Sequence, residues 1–159
     1  MNDTITLRPV RWPEDESFLQ ALYASTRAEE LANVPWTDEQ EEAFCRMQFA
    51  AQHQHYQEHY AGASFDVIEL DGQPIGRLYV ARWENEIRIV DIGLLPEYRG
   101  RGVGTALLKQ VLDEGEASGK SVSIHVEQFN PALALYERLG FQRVGEVGVY
   151  LLMRRDFGF

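Results

Sequence analysis

The sequence predicts an α/β or α+β protein, built from one mixed sheet with helices packed on its faces. Strands come first, then a strand–helix–strand–helix order, then strands again, and turn residues separate these elements. The composition, with 45% hydrophobic and 25% charged residues, is close to that of an average globular protein. The 159 residues suit a single domain, which we expect to cover residues 1–159.

The N-terminal third predicts one strand and two helices. Thr4 to Val10 alternates weakly, as a strand does, and Glu14 to Arg27 repeats apolar residues at helical spacing. After a break at residues 33–36, Thr37 and Gln40 form the pattern of a capping box, so a helix is expected from there to about residue 59. Its apolar residues share one arc, with His55 at the edge: Ala43, Phe44, Met47, Ala50 and Ala51.

The remainder of the chain predicts the other strands and helices. Asp71-Gly72 is a hairpin signal between two strands. Gly119 fits the end of a helix that covers residues 103–117. Asn130, followed by Pro131, is expected to cap a helix that ends near residue 140. The strands of this part are predicted at residues 65–70, 75–83, 87–95, 122–126, 141–147 and 149–153.

Charge and cysteine content exclude several classes of function. Fifteen Lys and Arg against 25 Asp and Glu give a net charge of −10, which argues against a nucleic-acid or anionic-membrane surface. Cys45 is the only cysteine, so neither an internal disulfide nor a thiolate zinc cluster can form. The first residues do not resemble a secretory signal, and no apolar run reaches about 18 residues. We therefore expect a cytoplasmic protein without a membrane or nucleic-acid partner.

The densest chemical signal is the stretch from Leu94 to Thr105, in which a strand ends, three glycines alternate and a helix begins. Glycines let backbone N–H groups turn toward a ligand, and a helix N-terminus favours phosphate. Arg99 and Arg101 add two cations. The simpler alternative is a tight connection whose glycines serve only the turn. A P-loop is excluded because no Lys-Ser or Lys-Thr follows, and a dinucleotide fingerprint is disfavoured because Thr105 replaces its third glycine.

Two motifs resemble the GNAT superfamily of acyl-CoA-dependent N-acetyltransferases. Arg99-x-x-Gly102-x-Gly104 matches its Arg/Gln-x-x-Gly-x-Gly/Ala signature. The stretch from Asn130 to Phe141 looks like its late Asn-x-x-Ala-x-x-x-Tyr-x-x-x-Gly-Phe segment, in the same order and at the usual distance. The close resemblance covers residues 86 to 153. It implies about seven mostly antiparallel strands, splayed at the centre of the sheet, with about four helices on both faces.

The resemblance also implies a reaction, the direct transfer of an acetyl group from acetyl-CoA to a primary amine in a ternary complex, without a metal. Leu94 would polarise the thioester carbonyl with its N–H, and Tyr136 would act as the acid for the leaving thiolate. On pattern alone, Tyr136 also fits a core stripe of its helix, and Asn130 an N-cap. The residues implied to bind acetyl-CoA are Leu94, Leu95, Arg99, Gly100, Arg101, Gly102, Val103, Gly104, Thr105 and Asn130.

The general base and the acceptor site stay open at this point. Asp91, three residues before Leu94, and Glu127, near the end of the next strand, are candidate bases, and a chain of water molecules is the alternative. The acceptor, a small molecule or a peptide, should enter between the first two helices and the late segment. Surface charge explains the acidic candidates equally well. The candidate acceptor-binding residues are Glu29, Glu30, Trp36 and His55.

Other functions remain as alternatives. His55-x-x-Glu58-His59 matches a zinc-hydrolase motif, but no further ligand is evident, and His55 is expected to be partly buried instead. A catalytically silent acyl-CoA-binding protein would keep the glycine loop, and a nicotinamide-dependent oxidoreductase could use it for NAD. Sheet edges could also pair two copies of the chain into a homodimer.

Overall fold

The computed structural model describes residues 4–158 and confirms the predicted class, because seven strands of these residues form one mixed sheet accompanied by four α-helices. The strands are β1 (Ile5–Pro9), β2 (Ser64–Leu70), β3 (Gln73–Arg82), β4 (Glu86–Leu94), β5 (Ser121–Glu127), β6 (Gln142–Val147) and β7 (Tyr150–Arg155). The helices are α1 (Glu16–Leu31), α2 (Asp38–His59), α3 (Val103–Ser118) and α4 (Leu133–Arg138), and a 3₁₀ turn spans Pro96–Tyr98. The strand order is β1-β2-β3-β4-β5-β7-β6.

The sheet is mostly antiparallel, with one parallel pair. β1 pairs with β2, and β7 pairs with both β5 and β6, all antiparallel. β4 and β5 run parallel, in a register that ends at Ile89 opposite Ile124. Both strands continue beyond that register, β4 to Leu94 and β5 to Glu127. Neighbouring strands that continue past their pairing are what a splayed sheet requires.

Contacts between Cα atoms group the described residues into two compact units, one of residues 4–78 and 93–99, the other of 79–92 and 100–158. The expectation of a single domain stays a prediction. In the first unit, α1 and α2 share an apolar core, against which Phe18, Val34 and Phe44 also pack. Its buried members are Leu19, Tyr23, Leu31, Cys45 and Phe49.

The predicted apolar arc of α2 is wrong. The helix buries Cys45 and Phe49, and Phe44 is half-buried. The exposed members of the arc are Ala43, Met47, Ala50 and Ala51. Alanine carries little apolar surface, so the larger Phe49 decides which face of the helix is buried.

Local signals in the sequence are confirmed by the structure. The Thr37 hydroxyl accepts the Gln40 N–H at 3.2 Å, and the Gln40 side chain accepts the Thr37 N–H at 2.9 Å, so the capping box is present. Asp71 and Gly72 both have positive φ, 49° and 85°, as the predicted hairpin turn requires. Gly119 ends α3 with a φ of 72°. Each of these features is set by residues close together in the chain.

The second unit packs α3 against β5. A Cβ placed on Gly115 would lie 2.6 Å from Cγ2 of Val122, so the missing side chain lets the helix come close to the strand. The buried apolar residues of this unit include Ile87, Ile89, Leu107, Leu108, Val111, Val122, Ile124, Val126, Phe141, Leu151 and Met153.

The last helix begins two residues later than predicted. α4 starts at Leu133, and its N-cap is Ala132 rather than Asn130. The Asn130 side chain accepts the Ala132 N–H at 2.8 Å, and its C=O accepts the Leu133 N–H at 3.1 Å. Asparagine readily bonds the N–H two residues on, so it forms a turn ahead of the helix instead of capping it.

A charged network connects β1 to the start of α1. Arg8 donates two hydrogen bonds of 2.8 Å to the Asp15 carboxylate and one of 2.9 Å to Glu69. The Arg11 N–H also donates to Asp15, at 2.7 Å. The bond from Arg8 lowers the pKa of Asp15, although burial opposes it. The network therefore holds Asp15 ionised while it is almost fully buried.

Candidate active site

The end of β4 is held against β3 one residue out of register. The Trp83 N–H donates to the Glu86 C=O at 2.9 Å near the turn, and the Leu95 N–H donates to the Ile75 C=O at 2.8 Å at the other end. From Ile75 to Trp83 the chain advances eight residues, whereas from Glu86 to Leu95 it advances nine. The β4 side therefore has one extra residue, which is a β-bulge. A bulge turns backbone groups away from the neighbouring strand, as binding a ligand through the backbone requires.

Arg99 is anchored by the backbone of β4. Its Nε donates to the Leu94 C=O at 3.0 Å, and its side chain is otherwise exposed. The 3₁₀ turn between them is closed by the Tyr98 N–H, which donates to the Leu95 C=O at 3.0 Å. Leu95 is one of the residues implied to bind acetyl-CoA, but its N–H is already bonded to Ile75 within the hairpin.

The glycine loop leads into the N-terminus of α3. Gly100 and Gly102 have φ of 74° and 83°, a region that favours glycine. A Cβ on either would meet no atom of residues 4–158 within 4 Å beyond its chain neighbours, so backbone conformation explains these two glycines. The first turn of α3 holds no acidic residue, and the N–H groups of Val103 to Thr105 have no acceptor within the helix. These groups fit an anion such as a pyrophosphate.

Tyr136 lies in α4 with its ring buried. The residue is 6% exposed, and its ring packs edge-on against Phe141 with centroids 5.9 Å apart. Within residues 4–158 its hydroxyl has no hydrogen-bond partner, yet no side-chain oxygen there is both buried and unpaired, so the hydroxyl reaches solvent. Burial, and then the charge of Asp91, raise the pKa of Tyr136 to about 12. The phenol is therefore protonated at neutral pH, as a proton donor must be.

The two candidate bases lie on neighbouring strands. Asp91 is half-buried in β4, and its negative charge contributes, after burial, to the raised pKa of Tyr136. Glu127 is half-buried at the end of β5, opposite Tyr150 of β7. Its C=O accepts the Asn130 N–H at 2.9 Å.

The late motif is one residue shorter than the pattern it resembles. Seven positions separate Asn from Tyr in that pattern, but Asn130 lies six positions before Tyr136. Phe129 occupies the seventh position and is 91% exposed. Counting the spacing would have singled out this residue in the sequence. The Asn130 side chain meanwhile bonds the Ala132 N–H.

The acceptor candidates of the first unit lie on its surface. Glu29 and Glu30 are exposed on α1, and Glu30 forms an ion pair with Arg27 at 3.2 Å. Trp36 is 41% exposed, and its ring meets Phe44 edge-on, with centroids 5.2 Å apart. Glu29 and Trp36 are therefore accessible, while the charge of Glu30 is partly neutralised.

The prediction that His55 is partly buried is wrong. His55 is exposed, and its ring stacks on His59 with centroids 4.2 Å apart. The half-buried histidine of α2 is His53, whose ring stacks on Trp12 with centroids 4.3 Å apart. Burial lowers the pKa of His53. The buried face of α2 passes through Phe49, and a step of four residues from Phe49 leads to His53, not to His55.

Sequence reasoning missed a polar cluster between β4 and β5. Arg88 Nε donates to the Ser123 hydroxyl at 2.7 Å, and its Nη1 lies 3.3 Å from Nδ1 of His125. The guanidinium also lies over the Trp83 ring, 5.2 Å from its centroid. Burial, and then the charge of Arg88, lower the pKa of His125. An arginine between two isoleucines of a strand is the signal that could have revealed this cluster.

Two features of the described residues bear on alternative functions. No group of three or more His, Cys, Asp or Glu side chains in residues 4–158 is arranged to hold a metal ion. Among the helices of the same residues, none combines the length and the apolar character needed to cross a membrane.

The sequence matches known acetyltransferases. The profile of the acetyltransferase (GNAT) family matches residues 12–141. The N-alpha-acetyltransferase RimI of Mycobacterium tuberculosis is 43% identical over 82 residues, covering 46% of this chain and 51% of that protein. The chain spans about half, or less, of the length of the first curated relatives it matches.

Solved structures share the fold. The PaiA N-acetyltransferase of Thermoplasma acidophilum, in complex with coenzyme A, gives a TM-score of 0.72 at 18% identity over 97% of this chain and 99% of that one. Arabidopsis thaliana Naa50, in complex with the bisubstrate analogue CoA-Ac-MVNAL, gives 0.62 at 19% identity over 96% and 99%. At these identities the likeness shows the fold alone. Because the family profile covers most of its length, the chain belongs to the GNAT family of acetyltransferases.

Proposed function

We propose that this protein is an N-acetyltransferase that moves an acetyl group from acetyl-CoA to a primary amine, directly and within a ternary complex. The observation that carries the proposal is the glycine loop, in which Gly100 and Gly102 lead into a helix N-terminus without acidic side chains. Such a set of N–H groups favours the pyrophosphate of coenzyme A. Arg99 and Arg101 are exposed in the same loop and supply positive charge in a chain of net charge −10.

The end of β4 is proposed to hold the thioester. The Leu94 N–H would donate to the thioester oxygen, on which negative charge develops as the amine attacks. Tyr136 would donate to the leaving sulfur. Its pKa of about 12 lies above the value of about 8.5 for an ordinary thiol. The hydroxyl would therefore stabilise the thiolate through a hydrogen bond, without giving up its proton completely.

Asp91 is the carboxylate that we propose as proton acceptor for the attacking amine. Its charge acts on Tyr136, which supports placing both groups at one reacting centre. A proton taken up by Asp91 would remove the charge that helps to raise the pKa of Tyr136. Proton uptake from the amine would thus make the tyrosine a better donor to the sulfur. Glu127 is the proposal's alternative base, to be separated from Asp91 by substituting each with its amide.

The acceptor that we propose is the amine of a peptide or a small molecule, with a peptide α-amine as the first choice. The name of the mycobacterial relative and the peptide analogue bound to Naa50 support that choice. Exposed Glu29 and Trp36 are the proposed contacts for a cationic acceptor. A cytoplasmic location and a homodimer stay predictions.

Thermal unfolding with acetyl-CoA, CoA, NAD and zinc in parallel tests the proposal. A ligand at about 100 times its Kd stabilises a protein by about 2.7 kcal/mol. For a domain of this size the midpoint should rise by about 5–11 °C. We expect a shift with acetyl-CoA and CoA only, followed by release of free thiol when amines and peptides are added. The absence of any shift with either would overturn the proposal. Binding without thiol release from any amine would indicate a silent acyl-CoA-binding protein.

A further inference from the structure

Gly93 is a glycine that neither backbone conformation nor packing explains. It is half-buried near the end of β4, and its φ is not in the left-handed region. Glycine weakens the interior of a strand, so its presence there marks a bulge, a close backbone approach or a ligand. A bulge lies in β4, but the ordinary φ of Gly93 can be adopted by any residue with a side chain.

The neighbouring strand shows what a packing glycine looks like. A Cβ placed on Gly76 of β3 would lie 2.2 Å from the backbone oxygen of Gly93 and 2.8 Å from Cδ2 of Leu94. Gly76 is therefore required by the close approach of β4. A Cβ placed on Gly93 would meet no atom of residues 4–158 within 4 Å, apart from its chain neighbours. Close approach of the backbone explains Gly76 and leaves Gly93 without a reason in the protein itself.

The backbone on either side of this space is fixed. The Leu95 N–H is bonded to Ile75 at 2.8 Å, and the Leu94 C=O accepts from Arg99 at 3.0 Å. The Gly93 oxygen also lies so close to Gly76 that no Cβ fits between them. The space beside Gly93 is thus next to backbone that these bonds fix, and Gly93 directly precedes Leu94, whose N–H is implied to bind the thioester.

We propose that Gly93 sets the size of the acyl group that the protein accepts. The inference rests on the proposed function, in which the Leu94 N–H receives the thioester oxygen. The alkyl part of the acyl group, attached to the carbonyl carbon, then extends into the space beside Gly93. A side chain at position 93 would occupy that space instead. The proposal therefore predicts that short-chain acyl-CoA thioesters such as butyryl-CoA are ligands as well.

Acyl-CoA binding by matched glycine variants tests this proposal. The Kd values of CoA, acetyl-CoA and butyryl-CoA would be measured for the wild type, Gly93→Ala and Gly93→Val. The control is Gly145→Ala, which also adds a methyl to a strand glycine with ordinary φ, where the nearest contact is Leu152 Cβ at 4.0 Å. We expect Gly93→Ala to raise the ratio of the butyryl-CoA Kd to the acetyl-CoA Kd by about 10-fold or more, and Gly93→Val to raise it further. The affinity for CoA and the ratio of the control should change by less than about 3-fold.

Four results would overturn the proposal. An unchanged ratio in both Gly93 variants would mean that the acyl chain lies elsewhere. Equal weakening of CoA itself would assign the space to the pantetheine arm, and an effect confined to the KM of the amine would assign it to the acceptor. If the variants do not fold, a wild type that binds butyryl-CoA at least 100-fold more weakly than acetyl-CoA also refutes the inference. If the wild type binds no CoA thioester at all, the proposed function itself is refuted.

Discussion

Replacing Tyr136 with phenylalanine removes the proposed hydrogen bond to the leaving sulfur and little else. The ring that packs on Phe141 is retained, and the hydroxyl that is lost makes no hydrogen bond within residues 4–158. The free energy of unfolding should therefore stay within about 1 kcal/mol of the wild type. Any larger loss of activity then reports on chemistry rather than on folding.

The size of the expected loss follows from two pKa values. Complete transfer of a proton from a phenol of pKa about 12 to a thiolate of pKa about 8.5 is uphill by about 5 kcal/mol. The hydroxyl can nevertheless donate a hydrogen bond to the developing charge, and such bonds contribute about 1.5–3 kcal/mol. We therefore expect Tyr136→Phe to lower kcat by about 10- to 150-fold. The Kd of acetyl-CoA should change little, because this bond forms mainly in the transition state.

Steady-state rates, measured by thiol release over a range of pH, test this reasoning. With its raised pKa, Tyr136 stays protonated up to about pH 10, so the variant should keep the shape of the wild-type profile at a lower height. A kcat within about 3-fold of the wild type would refute the role of the hydroxyl. If the wild-type rate fell above about pH 9 and the rate of the variant did not, the raised pKa of Tyr136 would be refuted instead.

Three further substitutions separate stability from ligand binding. Asp15→Ala breaks the nearly buried pair with Arg8 and should lower the free energy of unfolding by about 3 kcal/mol. Because the pKa of Asp15 is lowered on folding, the wild type should keep its whole advantage in free energy of unfolding above about pH 4 and lose it as the pH falls through the lowered pKa. Denaturant titrations at several pH values measure this difference. Gly76→Ala forces β4 away from β3 and should cost about 1–3 kcal/mol or prevent folding, as seen by thermal unfolding. Gly102→Ala strains a left-handed residue by about 1–2 kcal/mol and should weaken acetyl-CoA binding. The control Gly148→Ala, also at a left-handed glycine but in the β6–β7 turn, should not weaken it.

The fold was predictable where residues close in sequence decide the structure. The capping box of Thr37 and Gln40, the hairpin turn at Asp71 and the left-handed end of α3 at Gly119 all depend on local hydrogen bonds and backbone conformation. The glycine loop was predictable for the same reason, because its signal lies within a few residues.

Features that depend on distant residues were not predictable. The buried face of α2 is set by the packing of Phe49 against α1, so counting alanines gave the wrong arc and the wrong histidine. The start of α4 depends on whether the Asn130 side chain accepts a hydrogen bond within a turn or caps the helix, and the local sequence is compatible with both. The raised pKa of Tyr136 comes from burial and from Asp91 on another element of the chain.

The glycines show most clearly what coordinates add to a sequence. Gly102 is explained by its backbone angle, and Gly76 by the oxygen that a side chain would strike. The letter G is the same at both positions, and no pattern of neighbours distinguishes them. Neither reason applies to Gly93, which is half-buried in β4. Neither applies to Gly145 either, but that glycine is exposed and lies where the register of β6 with β7 shifts. A residue type that costs stability and has no structural reason points to a ligand, which is why a size limit for the acyl group follows from the coordinates and not from the motif.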